Sequence, residues 1–145
     1  MRACAYCVRL VSRSTVCCSR PPLGAPFPPA PLAPAGHIGP KDLSKSVDIN
    51  VTATARLIGY LAPLLGTTGR AVFFDDPRGG QPYFGAYGAT KSAQTAVVTS
   101  WQAETRKTGP QVRILTPHPM PTATRARFFP GEDRAPLASP KDEAA

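Results

Sequence analysis

No stretch of this chain approaches the eighteen or so consecutive apolar residues that a helical membrane span requires, so no membrane partner is expected. Acid is scarce: nine Asp and Glu stand against 17 Lys and Arg, a formal net charge of +8 in 145 residues. Cysteine occurs only at Cys4, Cys7, Cys17 and Cys18, and this confinement to one end argues against a disulfide-stapled secreted domain. A single Cys-x-x-Cys pair, followed by adjacent thiols that cannot easily face one ion, also argues against tetrahedral zinc, so no metal site is expected. Equally absent is any Gly-x-Gly-x-x-Gly or Thr-Gly-x-x-x-Gly-x-Gly run, the kind of turn that seats cofactor phosphates on a helix N-terminus. Gly66-Thr67-Thr68-Gly69 is too short and comes after a helical pattern instead of a strand.

The residues present divide the chain in two. Residues 1–41 hold Arg2, Arg9, Arg13, Arg20 and Lys41 with no acid, so most of the excess charge lies there. Pro21, Pro22, Pro26, Pro28, Pro29, Pro31 and Pro34 oppose helix and central strand, and residues 1–35 read as a basic, Pro-rich, disordered leader. Its Arg-rich, acid-free start also has the composition of a mitochondrial transit peptide, the alternative to a cytoplasmic location. A shifted reading frame or misassigned start is the preferred account of the leader. Arg125, Arg127 and the leader arginines would attract phosphates nonspecifically, but no recognition motif accompanies them and no specific nucleic-acid partner is expected.

Residues 36–145 carry the chemistry. Leu43, Val47, Val51, Thr54, Leu57, Ile58, Leu61 and Leu65 recur at threes and fours, which predicts a core-facing helix from about Asp42 to Leu65, with Asn50 on its buried stripe and Pro63 ending or kinking it. Gly69 to Asp75 reads as a short buried strand, Pro77 to Pro82 as a loop, the next stretch as a long helix over about 84–107, and Val112 to Leu115 as a second strand. Strand, loop, helix and strand at these lengths make a βαβ unit with parallel strands, whose active groups gather beyond the strand carboxyl ends. There the helix presents Tyr87 and Lys91, four residues apart and so on one face. A cation beside a phenol favours the phenolate and equips it to give or take a proton near neutral pH. The spacing alone is weak evidence, since shuffling gives Tyr-x-x-x-Lys in roughly one such chain in seven, so context must decide. Asn50 has a plain alternative, a structural amide bonded to neighbouring backbone.

In this context the chain resembles the classical short-chain dehydrogenase/reductase family. The markers are Asp48-Ile49-Asn50-Val51-Thr52, Leu61-Ala62-Pro63-Leu64-Leu65, the Tyr87 to Lys91 pair and Pro117-His118-Pro119-Met120-Pro121-Thr122, in the family's order and over roughly residues 31–140. The resemblance implies an α/β fold, the C-terminal portion of a doubly wound Rossmann-type parallel sheet. It implies NAD or NADP as cofactor and a small carbonyl or alcohol as substrate. Tyr87 would be the acid or base, Lys91 would lower its pKa and hold the nicotinamide ribose, and Asn50 would anchor a proton-relaying water. Pro117 and Thr122 would join Lys91 at the nicotinamide end, and Phe128 and Phe129 would supply apolar pocket wall. The helices at 42–65 and 84–107 would form a homo-oligomer interface.

The departures point to impaired activity. Asp75 and Asp76 stand where the resemblance calls for a serine, and an ionised carboxylate cannot donate a hydrogen bond to developing negative charge. His118 replaces a glycine, and the glycine-rich cofactor-binding half is missing, so the chain reads as a family member truncated at both ends. The alternative to an impaired oxidoreductase is a non-catalytic interaction or dimerisation fragment.

Overall fold

The computed structural model describes residues 7–12, 15–19 and 31–141. Within them lie strands β1 (Cys7–Ser12) and β2 (Thr15–Ser19), helix α1 (Pro40–Val47), a π-helical turn (Asp48–Thr52), helix α2 (Ala53–Leu65), strand β3 (Arg70–Phe74), helix α3 (Gly85–Glu104), strand β4 (Gln111–Leu115) and the short helix α4 (Ala123–Phe128). The sheet runs β1-β2-β3-β4. β2, β3 and β4 are mutually parallel, and β1 pairs antiparallel with β2. This is an α/β sheet with helical crossovers, as the alternation of strand and helix patterns requires.

Strands at 7–12 and 15–19 correct part of the expected leader. Val8, Leu10, Val11 and Val16 give this stretch β-branched and apolar character, and every proline that opposes regular structure lies beyond it, from Pro21 onward. The run at 20–30 and the four thiols' side chains lie outside the described residues.

β3 and β4 form where the apolar runs place them. Their register pairs Arg70 with Gln111 and Phe74 with Leu115, which aligns the two carboxyl ends. One side of the sheet is closed by Leu65, Ala71, Phe73, Val98, Trp101 and Val112, with Ile58, Leu61, Ala62 and Ile114 packed against them. Phe73 and Trp101 meet edge to face at 6.1 Å, a preferred aromatic geometry.

The helix expected from Asp42 to Leu65 exists, but its facing is corrected in its first half. Leu43 and Val47 are exposed, whereas Ser46 and Thr54 are buried and Asn50 is half-buried. A π-helical turn accommodates one extra residue and so rotates α1 about the helix axis relative to α2. The rotation brings Ser46 and Asn50 into line with Thr54 against α3, where small polar groups permit close approach, while Ile58, Leu61 and Leu65 keep their place in the core. Pro63 lies inside α2 two residues before its end, and Gly66, at φ +56°, turns the chain out of the helix.

Candidate active site

α3 starts just past the carboxyl edge of the sheet and runs back along it, so its first turns carry side chains toward the end of β3. Tyr87 is buried, and its hydroxyl donates to Asp76 Oδ2 at 3.0 Å. One turn further on, Lys91 Nζ donates to the Phe74 carbonyl at 2.8 Å and to Gln94 Oε1 at 2.6 Å. Ammonium and phenol thus reach the last residue of β3 and the loop just after it, as the four-residue spacing allows.

The two aspartates separate in role. Asp75 accepts from Thr95 Oγ1 at 2.8 Å, and its backbone N–H bonds the Leu115 carbonyl, so it ties β3 to α3 and β4. Asp76 faces the phenol and also pairs with Arg78, Nε to Oδ1 at 3.1 Å. The carboxylate therefore occupies the Tyr87 hydroxyl as its hydrogen-bond acceptor. The loop that carries it is pressed onto α3 at Gly88. A Cβ there would collide with the Arg78 carbonyl, so only glycine lets the loop pass so close to Tyr87.

Asn50 is reached from the facing helix, but its amide nitrogen donates to Thr90 Oγ1 at 2.9 Å. The Thr90 hydroxyl in turn bonds the Ala86 or Tyr87 carbonyl. Asn50 is therefore brought to the helix turn that bears Tyr87 and Lys91. Pro117 lies just beyond the end of β4 and is half-buried. Exposed Thr122 caps α4, its hydroxyl accepting from the Arg125 N–H at 3.2 Å, and His118 is an exposed residue of the same connection.

An aromatic group covers Tyr87. Its ring lies 4.9 Å from Phe128 and 6.5 Å from Phe84, and Phe84 meets Phe128 at 5.1 Å. The Arg78 guanidinium stacks on Phe84 and on Phe129 at 5.3 and 5.2 Å from their centroids, and Arg125 lies 5.0 Å from Phe129 on its way to a bidentate pair with Glu132 at 2.6 Å. Arg125's hydrogen bonds hold the Glu132 carboxyl below the usual glutamate range. Tyr83, beside Phe84, has φ +68°, a costly conformation for a bulky residue, and its ring is exposed.

Sequence reasoning placed Phe128 and Phe129 in this wall but missed Phe84, Arg78, Thr54, Thr90 and Gln94. The signals were slight: an Asp-x-Arg in a glycine-rich loop, and a glutamine three residues after the lysine on the same helix face.

A family model described as short chain dehydrogenase matches residues 29–133. The chain belongs to the short-chain dehydrogenase family. Its fold superposes on solved members of that family. One, assigned to the short chain dehydrogenases of Pseudomonas syringae, is 24% identical with a TM-score of 0.76, and the match covers 89% of this chain and 52% of that one. A Shigella flexneri counterpart complexed with NADP is 28% identical, with a TM-score of 0.75 over 89% of this chain and 53% of that one. An Escherichia coli counterpart complexed with NADPH is 27% identical, with a TM-score of 0.75 over 89% and 52%. The short-chain dehydrogenase chain described here thus spans about half the length of these structures. Among curated proteins none matches it. No helix among the described residues is long and apolar enough to cross a membrane.

Proposed function

We propose that this chain carries the proton-transfer part of an NAD(P)-dependent oxidoreductase acting on a small carbonyl or alcohol, in a form whose activity is suppressed. The observation that supports this reading is that Tyr87 and Lys91, one turn apart on α3, bond Asp76 and the Phe74 carbonyl, two residues apart at and just after the end of β3. A phenol and an ammonium on adjacent helical turns are the groups needed to move a proton at a substrate oxygen. Tyr87 would exchange that proton, Lys91 would keep positive charge near the phenol, and Asn50 would anchor a relay water while its amide nitrogen stays on Thr90.

A nicotinamide cofactor would supply the hydride. The groups present suit one end of it: Lys91 for the ribose hydroxyls, and the connection after β4, with Pro117 and Thr122, for the nicotinamide. They do not suit the other end, because no glycine-rich phosphate-binding run occurs in the sequence. NADP and NADPH stand in two of the similar structures, which supports the class of cofactor. Suppression has two sources: weak purchase on the cofactor phosphates, and Asp76 holding the Tyr87 hydroxyl where a hydrogen-bond donor to the substrate is wanted. Loss of one such donor lowers rates by about 10² to 10³.

The test is oxidation of millimolar NADPH with small ketones and aldehydes. The expected result is a weak rate that Tyr87→Phe abolishes and Asp76→Ser raises. A rate indifferent to Tyr87→Phe removes the proposed role. Calorimetric titration with NADH and NADPH is expected to show no micromolar binding, and micromolar binding would contradict suppression.

A second reading, a non-catalytic interaction fragment, is favoured by the outward face of the 40–65 helix. It exposes Leu43, Val47, Tyr60 and Leu64, with Tyr60 and Leu64 at 72% and 80%. Ala89, Ser92 and Ala96 lie exposed on α3. A homo-oligomer through these helices would elute as a defined dimer in size-exclusion chromatography, and a monomer or a broad aggregate would exclude it.

A further inference from the structure

We infer that Gln94, anchored by Thr54, is the residue that positions the Lys91 ammonium at the end of β3. A lysine has a long flexible stem and a freely rotating ammonium, so its side chain goes where acceptors fix it. The acceptors of Lys91 include the Phe74 carbonyl at 2.8 Å, from the strand, and Gln94 Oε1 at 2.6 Å, from the next turn of its own helix. The first belongs to backbone and is present whatever the sequence. The second depends on an amide that has two ways round.

The ammonium, which only donates, requires the amide oxygen, and the facing helix receives the other end of the amide. Gln94 Nε2 donates at 2.8 Å to the hydroxyl of Thr54, a residue only 4% exposed. Anchored there, the amide holds its oxygen at the ammonium. Reversed, the amide would turn N–H groups on Lys91 and repel it. Lys91, Gln94 and Thr54 therefore form one polarised chain from the end of β3 to the interior of the helix pair.

The same helices are joined one turn earlier by Asn50 and Thr90 at 2.9 Å. The two rungs have equal spacing, 50 to 90 and 54 to 94, because the two helices run side by side through both positions. They serve different groups. Asn50 meets the hydroxyl that bonds the Ala86 and Tyr87 carbonyls, whereas Gln94 meets the ammonium itself. The amide that holds Lys91 is thus on its own helix.

Gln94 is a positioning residue acting through Lys91. Only the purpose of that positioning rests on the proposed function, so the test reads the amine and needs no turnover. In the full-length chain, the rate of Lys91 acylation is followed by mass spectrometry and its titration by ¹³Cε NMR, with exposed Lys41, Lys45 and Lys107 as internal references. The expected result for Gln94→Leu is acylation of Lys91 about tenfold faster and a titration midpoint moved to lower pH, since a half-buried ammonium loses an acceptor. Thr54→Val should shift both readouts in the same direction by less. Gln94→Glu should slow acylation and raise the midpoint, because a carboxylate still accepts and adds charge. Asn50→Ser should leave Lys91 as it is. If Gln94→Leu loses its helical circular dichroism, opposite shifts in Gln94→Glu and Thr54→Val sustain the inference, and no shift in either overturns it. Unchanged Lys91 in a folded Gln94→Leu, or release of Lys91 by Asn50→Ser alone, overturns it as well. Activity lost in Tyr87→Phe together with an unmoved Lys91 in Gln94→Leu would leave the proposed function standing and remove Gln94 from it.

Discussion

Two aromatic clusters lie along α3, one against the sheet and one at its first turn, and behave as different materials. Phe73 and Trp101, with Val98 and Leu65, come from regular elements and form an apolar core. Phe84, Tyr87 and Phe128, flanked by Phe129, come from helix ends and loops, and they enclose a phenol bonded to a carboxylate that is itself bonded to a guanidinium. The first cluster gains from burial alone and has no polar duty. The second gives up part of its packing to hold charge near a hydroxyl, the arrangement expected where chemistry and stability compete.

The sharpest way to break the comparison is to truncate each cluster. Trp101→Ala should cost about 3–5 kcal/mol in urea unfolding, as large-to-small changes in a dry core do. Tyr87→Phe removes one hydroxyl and should change stability by about 1 kcal/mol. Equal costs would mean that the two regions are one core.

A smaller effect is expected from Gly88→Ala. The new methyl group would run into the Arg78 carbonyl and force the loop off α3, at about 1–3 kcal/mol by thermal unfolding, and it should separate Asp76 from Tyr87. Arg78→Ala removes two ring contacts and the pair with Asp76, and a loss of about 1 kcal/mol is expected from contacts that are partly open to solvent.

The smallest effect belongs to Glu132, which tethers α4 through Arg125. Its carboxyl lies below the ordinary value because Arg125 donates to it, so its contribution is present above the unfolded-state value and is lost as pH falls through the lower native one. Glu132→Gln should therefore abolish a decline in Tm on the acid side and leave the profile above it slightly lower and flat. An unaltered acid limb would show that the tether contributes nothing.

The same comparison explains how much was legible in the sequence. Short apolar runs gave β3 and β4, and a long helix bearing Tyr87 and Lys91 could be read from the loop signals before it and Gly109-Pro110 after it. Of the core cluster, Ile58, Leu61 and Leu65 emerge from helical periodicity and the β3 and β4 residues from short apolar runs, whereas Val98 and Trp101 do not. The second cluster was legible only in part. Phe84 is the last residue of a loop, and nothing in its neighbours reveals that it will touch Phe128, 44 residues away. Asp76 was visible as a departure from the serine pattern, but its partner Arg78 and its bond to Tyr87 depend on the loop pressed onto Gly88. The facing of Leu43 and Val47 failed because a single extra residue in the Asp48–Thr52 turn rotates everything before it, and a π-helical turn has no hydrophobic signature. The strands at 7–12 and 15–19 were overlooked because the proline-rich composition downstream of them was extended backward over them.

The most direct measurement is an NMR titration of the Tyr87 phenol, labelled at ¹³Cζ and assigned by Tyr87→Phe, in three proteins: the unaltered chain, Asp76→Ser and Lys91→Met. If the Asp76 carboxylate and the Lys91 ammonium act oppositely on this phenol, Asp76→Ser should ionise Tyr87 at lower pH and Lys91→Met at higher pH. A phenol that titrates identically in all three would contradict the account.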